Sequence, residues 1–546
     1  MSLRAVPYNR VETSGSILFA TRGGKIHSFD LSDGKHVSSW QHPDVEKLGS
    51  SVGVDAGADR TTEPEHEHEQ GLQSDNTRGA EDDEPPAKRP RVGEEDATAA
   101  PPIAAGDQAK RKGKKRQRNG DGSHGDSSRM GRVVDRPLIT LMTCTDDGHH
   151  LVAVSGHDKA VWVLEHDGQG HLAPLSQRVM PKRPSAIALG FGPHILVADK
   201  FGDVYHIPLL MAPAPPAPLA PPRAAPAPAP ALKLNEPAAN TSTVHSKRNR
   251  QALEHQRKQL ESDKSKGPAP QPEGPGFELS LLLGHVSMLT ALVVAESKGR
   301  RYILTGDRDE HIRVSRYMPQ AHVIETFCLG HKDFISDMIV PKARHDVLIS
   351  GGGDQDLFIW DWEAGQVLSK TNLLALAREV VPQTSTVSVC GLTSLLYPAE
   401  EGPLTYVLAI CEDLKAIFTW QLTDKNQLKN PSIIQLPYNP LHVATVAPAN
   451  GSPLKLIVAT DPGQSVEARS LREYTITRTD GRLSSLAELP IHGQDLDGAE
   501  IQVSEKEIRN MFYTAGNLRK QEYQDTGPES LAEGDAVDGV AVSEEQ

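Results

Sequence analysis

The sequence predicts an all-β fold: a seven-bladed WD40 β-propeller carrying two long disordered insertions and a disordered acidic C-terminal tail. Three observations predict it. Seven segments repeat one plan: a short strand, a turn, an apolar run ending in a small residue, a tight turn with Asp or Gly, then an alternating strand. A period of about 40–45 residues with four strands per unit is the mark of a propeller. One segment pairs Gly330-His331 with Trp360-Asp361, the dipeptides that give the WD repeat its name. The stretches 44–136, 211–276 and 527–546 lack apolar periodicity. They account for an apolar content of only 37% and an aromatic content of 5% over 546 residues.

In chain order the repeats begin with SILFATRGGKIHSFDL from Ser16. That segment is short, so strand material near the C-terminus is expected to complete its blade and close the ring. Residues 1–43 supply this first blade. Residues 44–136 form the first insertion, acidic and histidine-rich (EPEHEHE) and then basic. Residues 137–210 hold two repeats, from Leu138 and Ser185. Residues 211–276 open on a Pro-Ala run that favours extended polyproline conformations. Residues 277–526 carry the repeats from Leu281, Leu329, Val387 and Leu441 and the closing segment. The tail 527–546 is acidic.

Composition excludes several function classes. Cys144, Cys328, Cys390 and Cys411 are scattered without a C-x-x-C, which argues against a disulfide framework or a zinc ribbon. The N-terminus lacks the apolar core of a signal peptide, and no run approaches the length of a membrane helix. A soluble intracellular protein is expected. The net charge of −14 disfavours a free-standing nucleic-acid binder, because affinity for phosphate comes from Lys and Arg.

His285 with Asp309, and His331 with Asp354 and Trp360, are expected to pin turns to strands inside their blades. They are fold residues and not catalytic pairs. SGGGD and TRGGK do not sit between a strand and a helix, so hairpin turns explain them better than phosphate loops. EHEHE and His149-His150 are the metal-ligand candidates, and neither points to a metal site. No nucleophile elbow, metal-ligand set or cofactor fingerprint occurs, so no catalytic residue and no cofactor are expected. Lys88, Arg89 and Arg91, with Lys110, Arg111, Lys112, Lys114, Lys115 and Arg116, form exposed basic clusters suited to nuclear import.

GDRDEHIRVSRY (Gly306 to Tyr317) crowds both charge signs onto one turn and strand. Strand alternation should bury Ile312 and Val314 and turn Arg313 outward into solvent. Arg308, Asp309, Glu310 and His311 fall in the preceding turn, with Lys332 and Phe334 nearby. Charges on a rigid rim beside an aromatic residue suit a protein-docking patch, with Phe334 as the apolar contact.

LLLGHVSMLTALVV, ILTGDRDEHIRVSRY, FCLGHKDFIS and ISGGGDQDLFIWDWEAGQ resemble the WD-repeat non-catalytic subunit of the eukaryotic tRNA (guanine-N7)-methyltransferase, in its filamentous-fungal form. IRNMFYTAGNLRKQEY is similar to that family's closing segment. The resemblance implies a heterodimer with a separate methyltransferase subunit. That subunit would hold S-adenosylmethionine and methylate N7 of a guanosine in the tRNA variable loop. It implies partner contacts on the DRDEHIRVS strip, with the basic residue at Arg313. tRNA would be met through the complex, without a membrane. The alternative is a WD40 adaptor for ubiquitin ligation or chromatin.

Overall fold

The computed structural model describes residues 3–46, 136–211, 277–446, 453–465, 469–491 and 502–520. Apart from residues 44–46, 136 and 211 at their edges, the segments expected to be insertions and acidic tail, with the nuclear-import clusters, lie outside the described residues. No helix among the described residues is long and apolar enough to cross a membrane.

Seven four-stranded antiparallel sheets form the described body, and in each the strand order follows the chain order. Blade 1 runs from Arg10 to Gln41, blade 2 from Ile139 to Val179, and blade 3 from Pro184 to Gly284. Blade 4 runs from Leu289 to Leu329, blade 5 from Ile335 to Asn372, blade 6 from Val389 to Gln435, and blade 7 from Asn439 to Pro490. The innermost strands succeed one another round a closed ring, with blade 7 meeting blade 1. At that last seam the Thr13 hydroxyl donates to the Thr445 carbonyl at 3.1 Å.

Two expectations are corrected. Blade 1 is complete within Arg10–Gln41, so no C-terminal strand fills it. The C-terminal strand Gln502–Ser504 pairs instead with Leu3–Ala5, outside the blades. Second, repeats and blades are staggered by one strand. The run at Leu281 is the outermost strand of blade 3, Ser280–Gly284, and not the start of blade 4. Residues 212–276 therefore interrupt blade 3 between its third and fourth strands.

The blade centres are packed as strand alternation requires. In blade 4, Ile312 and Val314 are fully buried between Leu304 and Cys328 of the flanking strands. Two eight-residue helices supplement the sheets. Helix α1, Leu373–Val380, is capped by Asn372, whose side chain accepts from the Ala375 N–H. Its Leu373, Leu374 and Ala377 enter the core between blades 5 and 6. Helix α2, Glu505–Phe512, carries a full capping box between Ser504 and Glu507. Helices this short are marginal alone, so burial against the blades sustains them.

Candidate functional site

Antiparallel order puts the turns between second and third strands, and the connections between blades, on one face. The DRDEH turn lies there. The hydrogen-bond networks that shape this face start from the WD repeat itself. In blade 5, Trp360 Nε1–H donates to Ser350 Oγ at 2.8 Å. Ser350 Oγ lies 2.7 Å from His331 Nε2, and His331 Nδ1 lies 2.7 Å from Asp354 Oδ2. With Nδ1 protonated, every donor in this relay meets an acceptor. His331, Asp354 and Trp360 thus share one hydrogen-bond network inside blade 5.

Blade 4 departs from it. His285 Nε2 meets Thr305 Oγ1 at 3.1 Å. Burial, with the charge of Arg313, pushes the His285 imidazole down to about 4. Asp309 does not join this pair. Its carboxylate turns to Ser287 and to Lys520, whose Nζ lies 3.3 Å away. Glu310 also takes Lys520, at 2.9 Å. Glu310 adopts φ +77°, a left-handed conformation costly for a residue with a Cβ.

Lys520 ends a strap that sequence reasoning missed. From helix α2 onward the chain runs back across blades 7, 6, 5 and 4. The Tyr513 hydroxyl donates to Asp461 Oδ2 at 2.8 Å. The N–H groups of Ala515 and Gly516 donate to the two oxygens of Glu412 at 2.6 and 2.8 Å. Arg519 pairs with Asp333 and donates to the carbonyls of Gly353 and Val387, each at 3.0 Å. Arg308 Nε donates to the Leu518 carbonyl at 2.8 Å. At the strap's root, Arg4 grips Asp461 through both terminal guanidinium nitrogens, and its Nε reaches Glu505 at 2.8 Å.

The predicted docking residues separate. Phe334 is 1% exposed, with the Arg519 guanidinium over its ring at 5.6 Å. It is a core residue under the strap and cannot be the apolar contact expected of it. Arg308 is tied to the strap. Lys332 and His311 are exposed. Arg313 is half-buried and already bonded, Nε to Ser315 Oγ of its own blade at 2.9 Å and Nη1 to the Gly284 carbonyl of blade 3 at 3.0 Å. That corrects the fully solvated side chain expected. A guanidinium has five N–H donors, so these two bonds leave donors for a carboxylate. Arg313 faces Phe327 across the strands, and His311 faces Leu329. Phe327 is 42% exposed, Leu329 59% and neighbouring Val286 84%. These three are the large exposed apolar side chains beside the strip, where Phe334 is buried. The signal was in FCLG, where Phe327 and Leu329 alternate with buried Cys328.

Blade 3 presents a contrasting patch on the strap face. Lys182 and Arg183 precede its first strand, and Lys200 and Phe201 form its turn. Lys182 Nζ sits 4.5 Å over the half-exposed Phe201 ring, and the Lys200 N–H donates to the Arg183 carbonyl at 3.1 Å.

Comparison with known proteins settles the family. The description "tRNA methyltransferase TRM82 WD40 domain" matches residues 18–483. The chain belongs to the TRM82 WD40 family. A TRM82-family protein of Sclerotinia sclerotiorum, named a tRNA (guanine-N(7)-)-methyltransferase non-catalytic subunit, is 34% identical over 96% of this chain and 99% of its own. A protein of the same name from Aspergillus fumigatus is 30% identical over 95% of this chain and 97% of its own. One from Phaeosphaeria nodorum is 38% identical over 70% of this chain and 83% of its own. For a TRM82 member the inserted stretches are thus no bar to similarity along nearly the whole chain.

Asp461 links the strap to the ring and gives a pH signature. Burial works against its carboxylate, but Arg4, the Gly463 N–H and Tyr513 outweigh burial and hold its pKa below the usual carboxylate value. A depressed pKa adds stability above the unfolded value of about 4 and loses it as pH falls through the folded value. Asp461→Asn is expected to lower stability by roughly 1–3 kcal/mol at pH 7. Urea unfolding at several pH values should show this gap to wild type shrinking below about pH 4.

Proposed function

We infer that this chain is the non-catalytic subunit of a tRNA (guanine-N7)-methyltransferase. It binds a separate catalytic subunit, which holds S-adenosylmethionine and methylates a guanosine of the tRNA variable loop. The observation that carries the reading is the match of the propeller and its flanks to TRM82-family subunits so named, along almost their whole length.

The propeller contributes by being rigid. Arg313 is fixed by Ser315 and Gly284 before any partner arrives, so little side-chain entropy is left to lose on docking. Its remaining donors suit a carboxylate of the catalytic subunit, while Phe327, Leu329 and Val286 supply apolar contact around it. His311 and Lys332 lie at the exposed rim, where charge sets register and association rate more than affinity. Asp309 and Glu310 reach this edge already paired with Lys520, and Arg308 already bonded to the strap.

Arg313→Glu tests the docking edge. It removes one hydrogen bond within blade 4 and one to blade 3, at roughly 1 kcal/mol each, and places like charges together in the complex. The expected result is a folded chain with slightly lowered melting temperature that fails to co-purify with the catalytic subunit. A complex that forms and methylates tRNA as wild type does would move the interface elsewhere.

The blade 3 patch is the surface we assign to tRNA once the complex has formed. Lys182, Arg183 and Lys200 offer cations to phosphate, and Phe201 offers a stacking face. Lys182→Glu combined with Lys200→Glu should leave the heterodimer intact on gel filtration. The KM for tRNA should rise and the salt dependence of binding should flatten. Unchanged tRNA affinity would clear this patch of the role.

The basic clusters from Lys88 to Arg116 are assigned to nuclear import on their sequence alone. Deleting residues 85–118 should leave a tagged chain in the cytoplasm of cells lacking the catalytic subunit. Nuclear signal in those cells would refute the assignment.

A further inference from the structure

We propose that His42, Asp44, His157 and Asp158 form a divalent-cation site, suited to zinc, at the seam between blades 1 and 2. The four side chains come from two places. His42 and Asp44 lie in the connection leaving blade 1, just before residues 47–135. His157 and Asp158 form the turn between the second and third strands of blade 2.

Half of the cluster is explained by the fold. Trp162 Nε1–H donates to Ser155 Oγ at 3.3 Å, the Ser155 hydroxyl donates to Asp158, and His42 Nε2 lies 3.1 Å from Asp158 Oδ2. This is a second WD network like the one in blade 5. Asp44 and His157 are surplus to it.

The comparison within the molecule shows what the surplus pair does. The spacing His42-Pro43-Asp44 repeats in His331-Lys332-Asp333. In blade 5 the Asp333 carboxylate meets the cationic Arg519 of the strap. In blade 2, Asp44 Oδ2 meets His157 Nε2 at 3.1 Å. The turn position that blade 2 gives to His157 is Gly353 in blade 5. There an added Cβ would come within 2.6 Å of Asp333 and Phe334, leaving no room for an imidazole.

The four side chains close into a ring of alternating nitrogen and oxygen. Beyond the two contacts at 3.1 Å, His157 Nδ1 lies 3.7 Å from Asp158 Oδ1, and His42 Nδ1, which accepts from the Asp44 N–H and must release it to bind an ion through that nitrogen, lies 3.8 Å from Asp44 Oδ2. One ligand atom from each residue falls within 4.8 Å of the others. Tetrahedral zinc holds N and O ligands at about 2.0–2.2 Å, which sets neighbouring ligand atoms about 3.3 Å apart. The widest spacing must close by about 1.5 Å, within reach of torsions in the partly exposed Asp44 and His157. His157 Nδ1 is buried and has no hydrogen-bond partner, a second sign that this ring is built for more than the WD network. Two imidazoles and two carboxylates are a zinc donor set. The bound ion would staple the connection leaving blade 1 to the turn of blade 2.

The test uses the full chain, stripped with chelator and dialysed against micromolar zinc. Elemental analysis should find one tightly held equivalent, and zinc should raise the melting temperature by several degrees through mass action. His157→Gln and Asp44→Asn lie outside the WD network, so both should remain folded without metal. Both should lose the equivalent and the zinc-dependent shift. His66→Gln with His68→Gln, in the EHEHE stretch, should keep both. The proposal is overturned if wild type retains no zinc, if His157→Gln still holds the equivalent, or if the His66 and His68 changes remove it.

Discussion

The N-terminal strand and the root of the C-terminal strap meet at the guanidinium of Arg4, and the ring depends on that meeting. Seven blades packed in a circle leave one seam, between the last and the first, that no connecting loop spans. A blade built from strands of both ends would latch this seam with a ladder of backbone hydrogen bonds. Here each blade owns its four strands, so the seam rests on inner-strand packing and on side chains. Arg4 binds Asp461 of blade 7 and Glu505 of helix α2 at once, and the short sheet of Leu3–Ala5 with Gln502–Ser504 aligns them. Both partners of the Arg4–Asp461 pair are largely shielded from solvent. Their fork geometry offsets the desolvation that weakens most buried ion pairs.

From that clasp the strap gives the face its electrical division. Blades 4 to 7 turn Asp309, Glu310, Asp333, Glu412, Asp413 and Asp461 toward the strap. It answers with Arg509, Arg519, Lys520 and backbone N–H groups. Much of the acidic half is thus paired within the chain, and the blade 3 patch stands out as cationic on a protein of net charge −14. The edge around Arg313 lies between the two halves.

What the sequence made legible was local. Alternation placed Ile312 and Val314 in the core, and the spacing from Gly330 to Trp360 marked the blade 5 network, because those partners are close in sequence. The blade 2 network uses the same chemistry, but His42 and Ser155 flank a long insertion, so no repeat pattern joins them. Phe334 was misread because an aromatic residue beside a charged turn looks exposed until the strap is laid over it. Asp309 was misread because a turn carboxylate can face its own histidine or a lysine over two hundred positions away. The strap itself escaped because its bonds are ionic or to backbone groups, and these carry no hydrophobic period.

The strap also follows all seven blades in the sequence, which orders events during synthesis. Every sheet can form on the ribosome before Arg509, Arg519 and Lys520 emerge. Until then the carboxylates of Asp333 and Glu412 lie without their strap partners, whereas Asp461 can already meet Arg4 and the core of blade 7 can already pack against blade 1. The strap is thus laid over a face whose blades are already in place.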